Sequence, residues 1–267
     1  MMKLPTRIVE KPWGRTDIPL SFVDFGARRI GEIWFEDPDG DAAPLMVKLL
    51  FTSQRLSIQV HPDDAAARAA GFPRGKEECW LVLDAEPDAE LGVGLKAPSS
   101  TEALRAAALD GSIEALIDWR SANVGDFVYN AAGTIHAIGA GLMVVEVQQN
   151  VDCTYRLYDY GRPRELHLDE GLAVARTDPH DDPRDTHIAN AVTQRLVSGP
   201  HFNVIHAAGL LDYSALPSDQ GRYTIVPLGH GCTVDGEALS LGECAIIETL
   251  ATLDLQAGAS ALIAWPA

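Results

Sequence analysis

GDFVYNAAGTIH, residues 125–136, is a short strand that runs into a glycine turn and ends on a histidine. Phe127, Val128 and Tyr129 are strand formers, and Gly133 gives the backbone the freedom a tight reversal needs. The reversal aims His136 inward. A lone inward histidine is most often a core residue, so its meaning depends on what the rest of the chain can bring to it.

The segment RLSIQVHP (55–62) brings a second set. Alternate side chains of a strand share a face. Leu56, Ile58 and Val60 therefore point to core, while Arg55, Ser57, Gln59 and His61 line the other face, and Pro62 ends the strand. Gln-x-His upstream and His136 downstream make a chelating set that wants a carboxylate. KEECW (76–80) offers Glu78, on one face with Lys76, Trp80 and Val82, or its competitor Glu77. Two imidazoles, an amide and one carboxylate would leave a divalent ion with a net charge near +1, still Lewis acidic. A purely structural zinc site would more often close its shell with four Cys or His ligands.

Outward from these stretches the chain reads as mainly β. LMVKLLF (45–51), CWLVL (79–83), LMVVEVQQ (142–149) and YTIVPL (223–228) are short, β-rich and bounded by turn residues. A small helical insert is expected near 99–120, opening on a Ser99/Glu102 capping box and resuming over Ser112 to Trp119. Residues 177–190 read as a linker. This divides the chain into a metal-binding domain, 1–176, and a smaller β domain, 191–267, whose His201, His206 and His230 form no ligand pair. Within the latter, LGECAII (241–247) resembles the turn before a later cupin strand.

The 267 residues carry a net charge of −17, which argues against nucleic acid or an anionic membrane as partner. Four widely spaced cysteines, no CxxC pair and no apolar run after the basic N-terminal residues point to reduced thiols and the cytoplasm. Oligomeric state is not legible.

The 125–136 pattern resembles the second cupin motif, with Ala131 where that motif carries proline. LSIQVHPDD, GKEECW followed by LVLD, AAGTIHAI and TYRLYDYGRPRELH resemble, in order, the signatures of the short bacterial type I phosphomannose isomerases, from Lys11 to Gly171. The resemblance implies a cupin or jelly-roll barrel and the interconversion of mannose 6-phosphate and fructose 6-phosphate. It implies zinc held by Gln59, His61, Glu78 and His136, a catalytic Arg156, and Lys76 and Glu146 as pocket residues. A hairpin centred on Ala140 would set His136 opposite Val144 and put Glu146 on Val144's face. Glu146 is then the candidate base, with a water activated by the metal as the alternative, since arginine is too basic for that role. For the phosphate the candidates are Arg55, Ser57 and one of Arg162 or Arg164, Arg162 first. Two other classes share the architecture: a cupin dioxygenase, normally with iron and a two-His pair, and a sugar-binding cupin that has lost catalysis.

Overall fold

The computed structural model describes residues 1–18, 25–188, 192–209, 216 and 221–267. Its architecture is a stack of layers, each explained by strand alternation. A seven-stranded antiparallel sheet runs Thr186–His187, Asp126–Asn130, Glu78–Ala85, Leu142–Gln149, Leu45–Thr52, Ile30–Phe35, Thr6–Arg15. Facing it is a five-stranded sheet in the order Tyr155–Tyr158, Ile58–Val60, His136–Ile138, Glu90–Leu95, Ile117–Ser121. Between them lies an apolar layer that includes Trp13, Leu50, Trp80, Val82, Val93, Ile138 and Val144. This is a cupin-type, mostly β fold.

The opposite faces of the two sheets are also covered. Ile58, Val60, Ala137 and Leu157 pack against Leu104, Ala107 and Ile113 of the helical insert and Leu172 of the helix Leu168–Val174. Val47, Leu49, Cys79, Leu81, Phe127 and Tyr129 pack against Leu196, Phe202, Val204 and Leu262 of a C-terminal six-stranded sheet. That sheet holds a second apolar core on its far side, centred on Ile225, Val234, Leu253 and Ile263.

Several expectations are adjusted. The helix Thr101–Asp110 is capped by Ser100, not Ser99: its hydroxyl accepts from Ala103 N at 3.1 Å. The second helix is only Ile113–Leu116 and passes directly into the strand Ile117–Ser121. The Gly139–Gly141 turn makes no hairpin. His136 pairs with Gln59 and Val93 in one sheet, while Val144 pairs with Leu50 and Val82 in the other. The turn carries the chain between sheets, held by Gly139 N on Glu90 O and Gly141 N on Thr52 O. Leu56, expected with Ile58 and Val60, instead joins the layer between the sheets, because it precedes the strand Ile58–Val60.

Residues 177–188 are not a free tether. Thr186 and His187 pair with Phe127 and Asp126, and Asp185 accepts from Tyr129 N at 2.9 Å. The expected boundary at 189–191 lies outside the described residues. The N-terminus crosses over as well: Met2 and Lys3 pair with Ile246 and Ala245 of the C-terminal sheet.

Candidate metal centre and catalytic cleft

Polar side chains project into the space between the sheets at one end, in two cross-strand rows. In the five-stranded sheet Arg156, Gln59 and His136 are register neighbours. In the seven-stranded sheet Trp80, Glu146, Lys48 and Trp34 form one row, with Glu78 opposite Gln148 and Asn130 beside it.

His61, Glu78 and His136 bring one ligand atom each to within 4.8 Å of one another, and all three are buried. The backbone fixes the imidazoles. His61 Nδ1 donates to Cys153 O at 2.9 Å and His136 Nδ1 to Thr134 O at 2.8 Å. A carbonyl only accepts, so the Cys153 and Thr134 oxygens each call for a proton on Nδ1, against the Asn130 Nδ2 that also lies 2.9 Å from His136 Nδ1. With that proton there, both Nε2 lone pairs face Glu78, each at 3.5 Å. The turn behind His136 is tight: Gly133 has φ +86°, and a Cβ there would meet Val174 O at 2.9 Å. Gln59 reaches the same point, its Nε2 3.2 Å from His136 Nε2 and its Oε1 accepting from Ser57 at 3.1 Å.

Electrostatics suit a cation. Burial, then Lys76, lowers the His61 pKa to about 4, and burial likewise takes His136 to about 4, so both rings are neutral. Burial works to raise the Glu78 carboxyl, but the Lys76 ammonium outweighs it and holds it well below its usual range. Burial works against the Lys76 ammonium in turn, and Glu78 and Glu146 outweigh it, so its pKa is raised. Asn130 Nδ2 donates to Glu78 Oε1 at 2.9 Å, and Oε2 lies 2.6 Å from Lys76 Nζ. Neutral nitrogens and a fixed, buried carboxylate fit a divalent metal.

The cleft beside this centre is lined by Lys11, Glu32, Lys48, Ser57, Gln59, Lys76, Trp80, Glu146, Asp152, Arg156 and Arg164, among others. Glu146 is 4% exposed; Lys48 Nζ lies 3.2 Å from its Oε1, and Trp80 Nε1 donates to its Oε2 at 3.2 Å. Arg156 Nε is buried without a hydrogen-bond partner, and burial, then Arg164, lowers its pKa. Two expected phosphate ligands lie elsewhere. Arg55 pairs with Glu90 at 2.9 Å and Glu114 at 3.1 Å and stacks on Trp119. Arg162 pairs with Asp159 at 3.0 Å and does not line the cleft. Lys48 was missed by sequence reading, although a lysine inside the apolar LMVKLLF run carries the same signal as Glu146 among valines.

No family model matches the chain. Among curated proteins it is 34% identical over 226 residues to mannose-6-phosphate isomerase ManA of Bacillus subtilis, 78% of this chain and 71% of that protein. The chain belongs to the mannose-6-phosphate isomerase family. A second B. subtilis member, probable mannose-6-phosphate isomerase GmuF, is 37% identical over 66% of this chain. The match spans about three fifths, 61%, of GmuF's length. The crystal structure of the B. subtilis mannose 6-phosphate isomerase superposes with a TM-score of 0.78 at 26% identity, covering 98% of both chains. These relatives do not favour the dioxygenase or the non-catalytic sugar-binding alternatives. Among the described residues no helix is long and apolar enough to cross a membrane.

Proposed function

We propose that the chain interconverts mannose 6-phosphate and fructose 6-phosphate through an enediol(ate). One observation carries the reading: a buried carboxylate, Glu146, shares a cleft with two arginines and with Gln59 and Lys76, which touch the His61–Glu78–His136 cluster behind it. Gln59, His61, Glu78 and His136 would hold a divalent ion, zinc by resemblance, which when bound supplies Lewis-acid polarisation of the sugar oxygens.

The remaining work falls to side chains. Glu146 takes the C2 proton of the aldose and returns it to C1, while the hydroxyl proton passes from O2 to O1 across the enediol. Trp80 and Lys48 fix its two oxygens, so the base is positioned before substrate arrives. Lys76 remains an ammonium and, with Arg156, offsets the charge that develops on the enediolate oxygens. Ser57 and Arg164 serve the phosphate in place of Arg55 and Arg162, whose donors are engaged elsewhere. The substrate is a small sugar phosphate, and the compartment that fits it is the cytoplasm.

The test is conversion of mannose 6-phosphate by the purified chain, before and after chelation and after restoring zinc. Turnover that disappears with the metal and returns with it is expected. A metal-loaded protein that does not convert mannose 6-phosphate would overturn the reading.

A further inference from the structure

Asp159 is 2% exposed, and its carboxylate is shared by two arginines that use it differently. Arg162 Nη1 donates to Oδ1 at 3.0 Å; Arg164 Nη2 donates to Oδ1 at 2.7 Å and its Nε to Oδ2 at 2.6 Å. Arg162 sends its Nη2 away from the cleft, to Arg55 O at 2.7 Å and Gln54 Oε1 at 3.4 Å. It is a strut between the 159–162 turn and the segment leading into the strand Ile58–Val60. Arg164 lines the cleft, and among the described residues its Nη1 has no partner. Arg156 lines the same cleft with its buried Nε unpartnered.

The turn that makes this division is locally unfavourable. Tyr160 (φ +55°) and Gly161 (φ +76°) are successive left-handed residues, closed by Arg162 N on Asp159 O at 3.0 Å. A tyrosine adopts that region only when surrounding contacts determine it, and the doubly held carboxylate at its N-terminal side is such a contact. Arg156 and Arg164 repel one another, and Asp159 offsets only one of their charges. A cationic end therefore survives in a cleft that also holds Glu32, Glu146 and Asp152, in a chain of net charge −17.

We propose that Asp159 is a positioning residue: it aims Arg164 at the phosphoryl group of the substrate, while Arg162 braces the turn. The identity of the ligand rests on the isomerase reading; the presence of an anion site does not.

The metal-loaded enzyme and its variants are tested for phosphate affinity by calorimetry and for KM and kcat on mannose 6-phosphate. Arg164→Gln should weaken inorganic phosphate by about tenfold or more, the worth of a charge-assisted bond, and raise KM more than it lowers kcat. Asp159→Asn should do the same in the wild-type background and add almost nothing to Arg164→Gln, because its effect runs through that side chain. Arg162→Gln should lower thermal stability and leave phosphate affinity within a factor of about two to three. All variants should keep their metal. Phosphate affinity that is absent in the wild type or indifferent to Arg164→Gln overturns the proposal, as does a full extra loss from Asp159→Asn on top of it. Phosphate binding lost in Arg164→Gln by a wild type without isomerase turnover would sustain the anion site and remove only the isomerase reading.

Discussion

His61 and His136 are each about 1% exposed and each held neutral by burial. Their folded pKa of about 4 lies below the ordinary 6.5, so the unfolded chain binds more protons between those values. Metal-free protein should therefore be most stable above pH 6.5 and lose stability as pH falls toward 4, by up to about 3 kcal/mol per imidazole. Glu78, whose carboxyl is depressed, adds to the loss at still lower pH. Thermal midpoints of chelated protein across that range check the sign; a midpoint that rises on acidification refutes it. Catalysis should depend on a different residue. Glu146→Gln keeps the shape and the Trp80 contact but removes the base, so kcat should fall by roughly 10²–10⁴-fold with metal content unchanged. Activity near wild type would move the proton transfer to another group. At this scale the sequence was legible where a residue type was out of place, as with Glu146 among valines. It was not legible for Arg55. Alternation gives a face, but Glu90 and Glu114, which engage that guanidinium, lie 35 and 59 positions away.

The elements that carry the centre are held from behind. Glu77 points opposite to Glu78, and Tyr129 Oη donates to its carboxylate. Gln149 Oε1 accepts from Glu77 N at 2.9 Å, and Gln149 Nε2 donates to Asp64 Oδ1 at 3.0 Å. Gly75 N donates to the same Asp64 oxygen at 2.8 Å, and Gly75 is packed so closely that a Cβ would meet the Asp63 carbonyl carbon at 2.4 Å. Residues 75–78, which present Lys76 and Glu78, are thus fixed by the end of the strand Leu142–Gln149 and the first residue of the helix Asp64–Ala69. Gln149→Ala should loosen that segment and weaken metal affinity by roughly 10–100-fold while the fold persists. Competition against a chromogenic chelator measures it, and unaltered affinity would make the network purely structural. Alternation read the strand cores well here, because both faces of each sheet are covered and every side-chain direction has a distinct apolar neighbour. It missed the strand Thr6–Arg15, which Pro12 and Gly14 punctuate, and the strand Glu90–Leu95, whose two glycines hide it. It also took Gly139–Gly141 for a hairpin, since turn residues mark a reversal without saying which sheet receives the chain.

For the whole molecule, the C-terminal sheet is a wall of the same core that backs the metal strands. Phe202, Val204, Val226 and Leu262 lie in one cluster with Leu49, Leu81, Tyr129 and Val147, from strands whose other faces carry Lys48, Trp80 and Glu146. The crossing is not only apolar. His201 Nε2 lies 3.9 Å from Glu77 Oε1, and Gln149 Nε2 lies 3.3 Å from His201 Nδ1, so a histidine with no ligand partner in sequence reaches the back of the metal centre. Met2 and Lys3 pair with the far sheet, so its removal would also strip the N-terminal strand of its partner. A chain ending at residue 190 should therefore expose the face formed by Leu49, Leu81, Phe127 and Tyr129. A contiguous apolar face of that kind drives association, and an edge strand left unpaired adds to it. Expressed alongside the full-length protein, the shortened chain should appear in the aggregated fraction on size exclusion and should fail to retain metal after dialysis. If it elutes as a monomer, keeps its metal and turns over mannose 6-phosphate at the full-length rate, the C-terminal sheet is an accessory and the core that backs Glu78 and Glu146 is complete without it.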